Sequence, residues 1–302
     1  MSCAMASKRT KEGWSSLQIR KASFALALAA VALGAAGRTW SGHFEREFTD
    51  VNTRVFLGFD RNDYPGDATL DVLRKTFTFT GYWLNAPPGE STTSWTGKRE
   101  TLRKHGFGFL VLFNGRLDKE LHASEDARRM GMNDALEAEE TARAEGFPRG
   151  TVIFLDQEEG GRMLPEQLQY LYAWVDGVSA GGYRAGIYCS GIRDNAVGGG
   201  VITAQDIREN AGPRRILLFV YNDACPPSPG CVFSSKGITP SNSEIAFASV
   251  WQIAQSPCRK NLTANCRETY SADGNCYSPG LARYGIFVDV DVATSADPSR
   301  GR

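Results

Sequence analysis

The segment TVIFLDQEEGG, residues 151–161, drives an apolar run straight into Asp156, Glu158 and Glu159. Carboxylates crowded together repel, and each loses hydration wherever the chain buries it. Side chains two apart on a strand point the same way, so Asp156 and Glu158 are expected on one side and Gln157 on the other. In a shared pocket one of the two should keep its proton near neutrality while its partner stays charged. That is the division of labour used in glycoside hydrolysis. Glu159 reads as a surface residue pointing away from the pair. A strand end dressed with solvated acids is the plain alternative, so the reading depends on what else converges there.

The elements that must position these acids recur along the chain. Near-continuously apolar runs cover 54–60, 77–85, 106–115, 151–158, 183–191, 215–223, 244–255 and 285–294, the pattern of strands covered on both faces. Helical stretches fall between them. Residues 124–146 end on Gly146 and Pro148, and residues 164–182 open on Pro165 and stop at Gly181. Shorter candidates cover 67–76 and 97–106. Strands alternating with helices predict an α/β fold, a (β/α)8 TIM-type barrel in a single domain spanning 50–302. An open doubly wound sheet is the runner-up, but no Gly-rich phosphate fingerprint follows an early strand.

In a parallel barrel the loops after the strands form the working face, so the residues closing each run become candidates. Asp60 closes the first, Asp156 and Glu158 the fourth, and Asp289 and Asp291 belong to the eighth. Tyr82 and Trp83 lie late in the second run and Tyr188 late in the fifth. Tyr221 and Asn222 end the sixth, and Trp251 and Gln252 fall late in the seventh. Acids for proton transfer and aromatic faces for stacking on sugar rings therefore share one predicted rim. Taken singly, each has a bland role: Asp60 as a cap, Trp251 and Tyr188 as core, Asp289 and Asp291 as partners of Arg283. Other chemistries fit less well. No G-x-S-x-G elbow occurs, and a Cys189–His105 thiol dyad competes with bridging of that cysteine. No CxxC pair is present and the three histidines lie far upstream of the cysteines, so neither metal nor cofactor is expected.

The 302 residues are 42% hydrophobic and 23% charged with a formal net charge of zero, and no basic stripe recommends a nucleic-acid partner. Lys8, Arg9, Lys11, Arg20 and Lys21 precede ASFALALAAVALGAAG, the layout of a signal peptide over residues 1–37 with cleavage after Ala36. An uncleaved anchor is the alternative, although a spanning helix wants about 20 apolar residues. The expected location is secreted or extracytoplasmic, with no stable membrane insertion of the mature domain. Removing Cys3 with the leader leaves Cys189, Cys225, Cys231, Cys258, Cys266 and Cys276, an even set that suggests disulfides in Cys-rich loops at 225–276. Asn261-Leu262-Thr263 is a glycosylation sequon if the host is eukaryotic.

The motifs GFD, FLDQE, IYCSG, VWQIAQ and VDVDVA, in that order, resemble the glycoside hydrolase family 25 lysozyme superfamily. The run GMNDALEAEETARAEGFPRGTVIFLDQE resembles more closely the glycoside-hydrolase-like family known as domain of unknown function 1906. The resemblance extends from Val55 to Thr294. It implies a barrel acting on cell-wall or related polysaccharide, such as a peptidoglycan-like glycan. Glu158 would be the proton donor, with Asp156 stabilising the positive transition state or orienting a substrate acetamido group. Asp60 and Asp289 would complete the acidic cluster. This sequence departs from the pattern in the extra Glu159 and two glycines after the acid pair, and in the Cys-rich insertion. A non-catalytic glycan-binding or envelope protein that retains the barrel is the reading from another class.

Overall fold

The computed structural model describes residues 54–122, 126–194, 200–222, 238–254 and 288–302, all within one compact unit, Thr53–Arg302. The predicted signal peptide, the sequon and, within the Cys-rich stretch 225–276, residues 225–237 and 255–276 with all five of its cysteines lie outside the described residues.

The strands are β1 (Phe56–Asp60), β2 (Phe79–Trp83), β3 (Gly108–Asn114), β4 (Val152–Asp156), β5 (Arg184–Ser190), β6 (Arg193–Asp194), β7 (Val201–Ile202), β8 (Leu217–Tyr221), β9 (Ala248–Ala254) and β10 (Asp289–Ala293). Eight of them close into a barrel in the order β1-β10-β9-β8-β5-β4-β3-β2, each inside one of the eight apolar runs. The short antiparallel pair β6–β7 follows β5 and has no counterpart among those runs. The helices are α1 (Leu70–Arg74), α2 (Arg99–Lys104), α3 (Asp118–His122), α4 (Ala127–Ala144), α5 (Pro165–Ala180) and α6 (Thr203–Asn210). The 124–146 expectation shortens to α4, whose cap is Asp126: its side chain accepts from the Arg129 N–H.

The barrel differs from an all-parallel cylinder in its last strand. β10 runs antiparallel to both β1 and β9, while the other neighbours are parallel. The reversal matters for the site. Asp289 is the first residue of β10, so a parallel strand would have placed it at the opposite end. Running backwards, it lies beside Asp60 at the C-terminal rim, and Asp291 lies beside Gly58 one layer deeper.

Side chains alternate inward and outward along each strand. The interior takes large rings only where the facing position has none: a Cβ on Gly58 would fall inside the Phe79 ring, and one on Gly81 would lie 2.7 Å from the Asp60 Cβ. Outside the strands, Tyr82, Trp95, Phe109 and Phe147 form an edge-packed aromatic layer. The chain end secures the far side. Ser299 N–H donates to Phe109 O, its Oγ accepts from Val111 N–H, and its carbonyl accepts from Val152 N–H, at 2.8, 2.8 and 2.7 Å. Those bonds satisfy backbone groups on β3 and β4 that would otherwise be buried without partners.

Candidate active site

Three chain segments bring carboxyl groups to one region. Asp60 ends β1, Asp156 ends β4 and Asp291 sits in β10, each less than a tenth exposed. Gln252 on β9 organises them: its Nε2 donates to Asp60 Oδ2 at 2.9 Å and reaches Asp289 Oδ2 at 3.5 Å, and its Oε1 accepts from the Tyr188 hydroxyl at 2.8 Å. Tyr188 in turn stacks on Tyr221 with ring centroids 5.5 Å apart and planes 25° from parallel.

The electrostatics follow from burial without compensation. Among the described residues no Lys, Arg or His forms an ion pair with Asp60, Asp156, Glu158 or Asp291. Burial pushes Asp60 up to about 6 against the lowering effect of its contacts with Gln252 and Asp291. Burial likewise raises Asp156 well above the carboxylate range, with the charges of Glu158 and Asp60 adding to it. Asp291 is raised well above that range by burial and by Asp60 and Asp289, and neither of its oxygens meets a donor. The Asp60 charge thus opposes ionisation of Asp291. Tyr188 is raised by burial first and then by the surrounding acids.

Glu158 differs from its neighbours. β4 stops at Asp156, and Gln157 extends the ladder by one bond, its N–H donating to Tyr188 O at 3.0 Å. Glu158 therefore stands on a loop, and strand alternation does not aim it. It reaches solvent while its carboxyl remains raised, by partial burial first and by Glu159 second. Glu159, expected as a free surface residue, is instead half-buried and bound: its Oε2 accepts from Asp118 N–H and Gln167 Nε2.

The other sequence candidates divide by strand face. Trp83 is on the inner side with Gly81, its Nε1 donating to Arg61 O at 3.1 Å. Tyr82 lies outward in the aromatic layer, its hydroxyl donating to Glu145 at the end of α4. Trp251 alternates with Gln252 and is almost fully buried, donating through Nε1 to Asn222 Oδ1 at 3.0 Å. Asn222 also donates to Ser243 O, so this pair braces the ends of β8 and β9. Tyr82, Trp251 and Asn222 are thus not gathered with the acids. The signal was present, since each is next in sequence to a residue that faces inward.

Cys189 is a free, fully buried thiol raised by burial, which removes it from the expected disulfide set. His105 is bound to Asp71 of α1 at 2.9 Å and makes no dyad with it. One compact trio has cation-binding residue types: His122 Nδ1 lies 2.8 Å from Asp118 Oδ1 and 3.1 Å from Glu166 Oε1. Its members are already paired with one another.

The described residues thus form a closed α/β barrel with buried carboxyl groups brought towards one rim. Residues 86–211 match the Rv2525c-like, glycoside hydrolase-like domain family, bearing out the resemblance read from the sequence. That span contains the acidic strand β4. No curated protein matches the chain. Solved structures with similar folds include an uncharacterized protein of B. stearothermophilus, with 19% identity and TM-score 0.49, covering 79% of this chain and 95% of that one. The Mycobacterium tuberculosis Tat-secreted protein Rv2525c, in complex with L-tartrate, is 15% identical with TM-score 0.45, covering 78% and 93%. A family 25 glycosyl hydrolase from Bacillus anthracis is 10% identical with TM-score 0.43, covering 80% and 89%.

Proposed function

We propose that the protein is an exported glycan hydrolase acting on cell-wall or related polysaccharide. The observation that carries this reading is the set of acids brought towards one rim with no ion pair to a cation among the described residues. Glu158, solvent-reaching and raised, is the proton donor to the glycosidic oxygen. Asp156, whose ionisation the Glu158 charge opposes, is buried with Oδ1 lacking a hydrogen-bond partner among the described residues. As a carboxylate it stabilises the oxocarbenium-like species or orients a substrate acetamido group by accepting from its N–H. Asp60 and Asp291 complete the acidic cluster, and Tyr188 and Tyr221 supply flat faces for sugar rings. The glycoside-hydrolase-like family match supports the same class of chemistry, and the basic-then-apolar leader supports export. Among the described residues no helix is long and apolar enough to cross a membrane.

The test is to incubate the purified chain with peptidoglycan, chitin and a polysaccharide panel and to look for new reducing ends by mass spectrometry. Glu158→Gln should lower turnover by about 10²–10⁴-fold while polysaccharide pull-down persists. Full activity in that variant would remove Glu158 from the role of acid. The second reading, a non-catalytic glycan-binding barrel, is favoured by how deeply Asp156 is buried and how strongly it holds its proton. Binding to the panel with no cleavage by the parent protein would establish it.

A further inference from the structure

We propose that Glu159 is the positioning residue of the acid-bearing loop: it clamps the loop to α3 and α5 and places a second negative charge beside Glu158. This deepens the reading of Glu158 as proton donor and rests on it.

The geometry begins where the strand gives out. Beyond Asp156 the chain has one more ladder bond, then Glu158, Glu159 and two glycines, the second at a φ of 99°. Such a segment has no intrinsic reason to hold a side chain in one place. Two sets of bonds hold it. On the α6 side, Gly161 N–H donates to Thr203 Oγ1 at 2.8 Å, Thr203 Oγ1 donates back to Gly161 O at 3.0 Å, and Met163 N–H donates to Asp206 Oδ2 at 2.9 Å. On the opposite side the described contacts all run through Glu159. Its Oε2 accepts from Asp118 N–H at 2.7 Å and from Gln167 Nε2 at 2.8 Å. Gln167 Oε1 accepts from Leu164 N–H at 2.8 Å, which closes the loop onto the first turn of α5. Hydrogen bonds to an ionised acceptor are the stronger kind, so one carboxylate oxygen fixes both helices to the residue following the acid.

The charge has a second effect. Glu159 opposes ionisation of Glu158, after partial burial. Among the described residues, Arg162, Arg116 and His122 near this loop are paired with other carboxylates. Arg162 pairs with Asp206, and Arg116 makes a two-pronged contact with Asp134. His122 of α3 sits between Asp118 and Glu166, and Lys119 is exposed to solvent. Glu120 accepts from Leu117 N–H. Asp194 lies against Gly161, while Asp156, Asp60 and Tyr188 form the acidic floor. Repulsion from Glu159 therefore adds to burial in opposing ionisation of Glu158.

The experiment follows the Glu158 carboxyl by ¹³C NMR in the full chain, assigned by its loss in Glu158→Gln, and compares wild type, Glu159→Gln and Glu159→Ala. The glutamine variant keeps an acceptor oxygen for Asp118 N–H and loses the charge. The expected result is Glu158 titrating at lower pH, with slow amide exchange at Asp118 preserved. The alanine variant loses both, so Asp118 should in addition exchange faster. Neither readout needs turnover, so the outcome stands even if no glycan is cleaved. On a substrate that is cleaved, Glu159→Gln should move the basic limb of kcat to lower pH with KM unchanged, and Glu159→Ala should lower kcat about 10-fold or more by misplacing the acid. A Glu158 titration in Glu159→Gln that superimposes on wild type, or unchanged Asp118 exchange in Glu159→Ala, overturns the proposal.

Discussion

Replacing Asp60 by Asn should stabilise the fold at neutral and alkaline pH. Asp60 is buried, and its carboxyl titrates at about 6 in the native protein against an ordinary value of 3.8. Between those values the native state binds more protons than the unfolded chain, so stability falls as pH rises through the window and is flat above it. The difference corresponds to about 3 kcal/mol at pH 8, at ~1.4 kcal/mol for each tenfold change in proton affinity. Asn cannot ionise, keeps an oxygen to accept from Gln252 Nε2, and presents an amide to the unpartnered oxygens of Asp291. The figure is a floor, because the Asp60 charge also opposes ionisation of Asp291 and Asp156. For a domain of this size a gain of about 3 kcal/mol raises Tm by roughly 6–12 °C. Urea unfolding of both proteins at pH 8 and pH 4.5 is the assay. The advantage should shrink to about 1 kcal/mol at pH 4.5, where most of the native carboxyl is already protonated. Equal stabilities at pH 8, or a gain that does not depend on pH, would refute the reasoning that the rim acids are held against their charge.

Two predictions concern the scaffold. Gly131 on α4 faces the Tyr170 carbonyl of α5 so closely that a Cβ there would collide with it. Gly131→Ala should therefore cost about 1–3 kcal/mol in urea unfolding from forced separation of the helices, outweighing the ~1 kcal/mol that alanine gains in a helix interior. Asp134 accepts from Arg116 Nε and Nη2, both at 2.7 Å, and from the Tyr170 hydroxyl at 2.8 Å. Asp134→Ala should lower stability by about 3 kcal/mol by stranding those donors, with polysaccharide binding at the rim unchanged.

The architecture was legible because two-sided burial writes itself as unbroken apolar runs, and each of the eight became a barrel strand. Strand direction was not legible. VDVDV reads the same whichever way it runs, and only pairing with β1 and β9 shows that β10 is reversed. α3 and α6 lie outside the helical stretches read from the sequence. Within the site, inward alternation separated true neighbours from adjacent ones: Gln252 and Tyr221 meet the acid cluster, Trp251 and Asn222 do not. A period of two makes that choice by a single residue, so grouping Trp251 with Gln252 could not be right for both.

Glu159 shows where such reading stops. Its sequence position, after two acids and before two glycines, suggests exposure, and nothing local identifies its partners. They are a backbone N–H on α3 and a side chain on α5, reached only once β3 and β4 are side by side. Once there, a residue that looks redundant becomes the strut that converts a flexible loop into a fixed mount. The barrel supplies burial, which raises the acids; on the proposed reading the Glu159 contacts hold the loop that carries Glu158. Burial alone would raise these carboxyls without fixing where the Glu158 side chain is held.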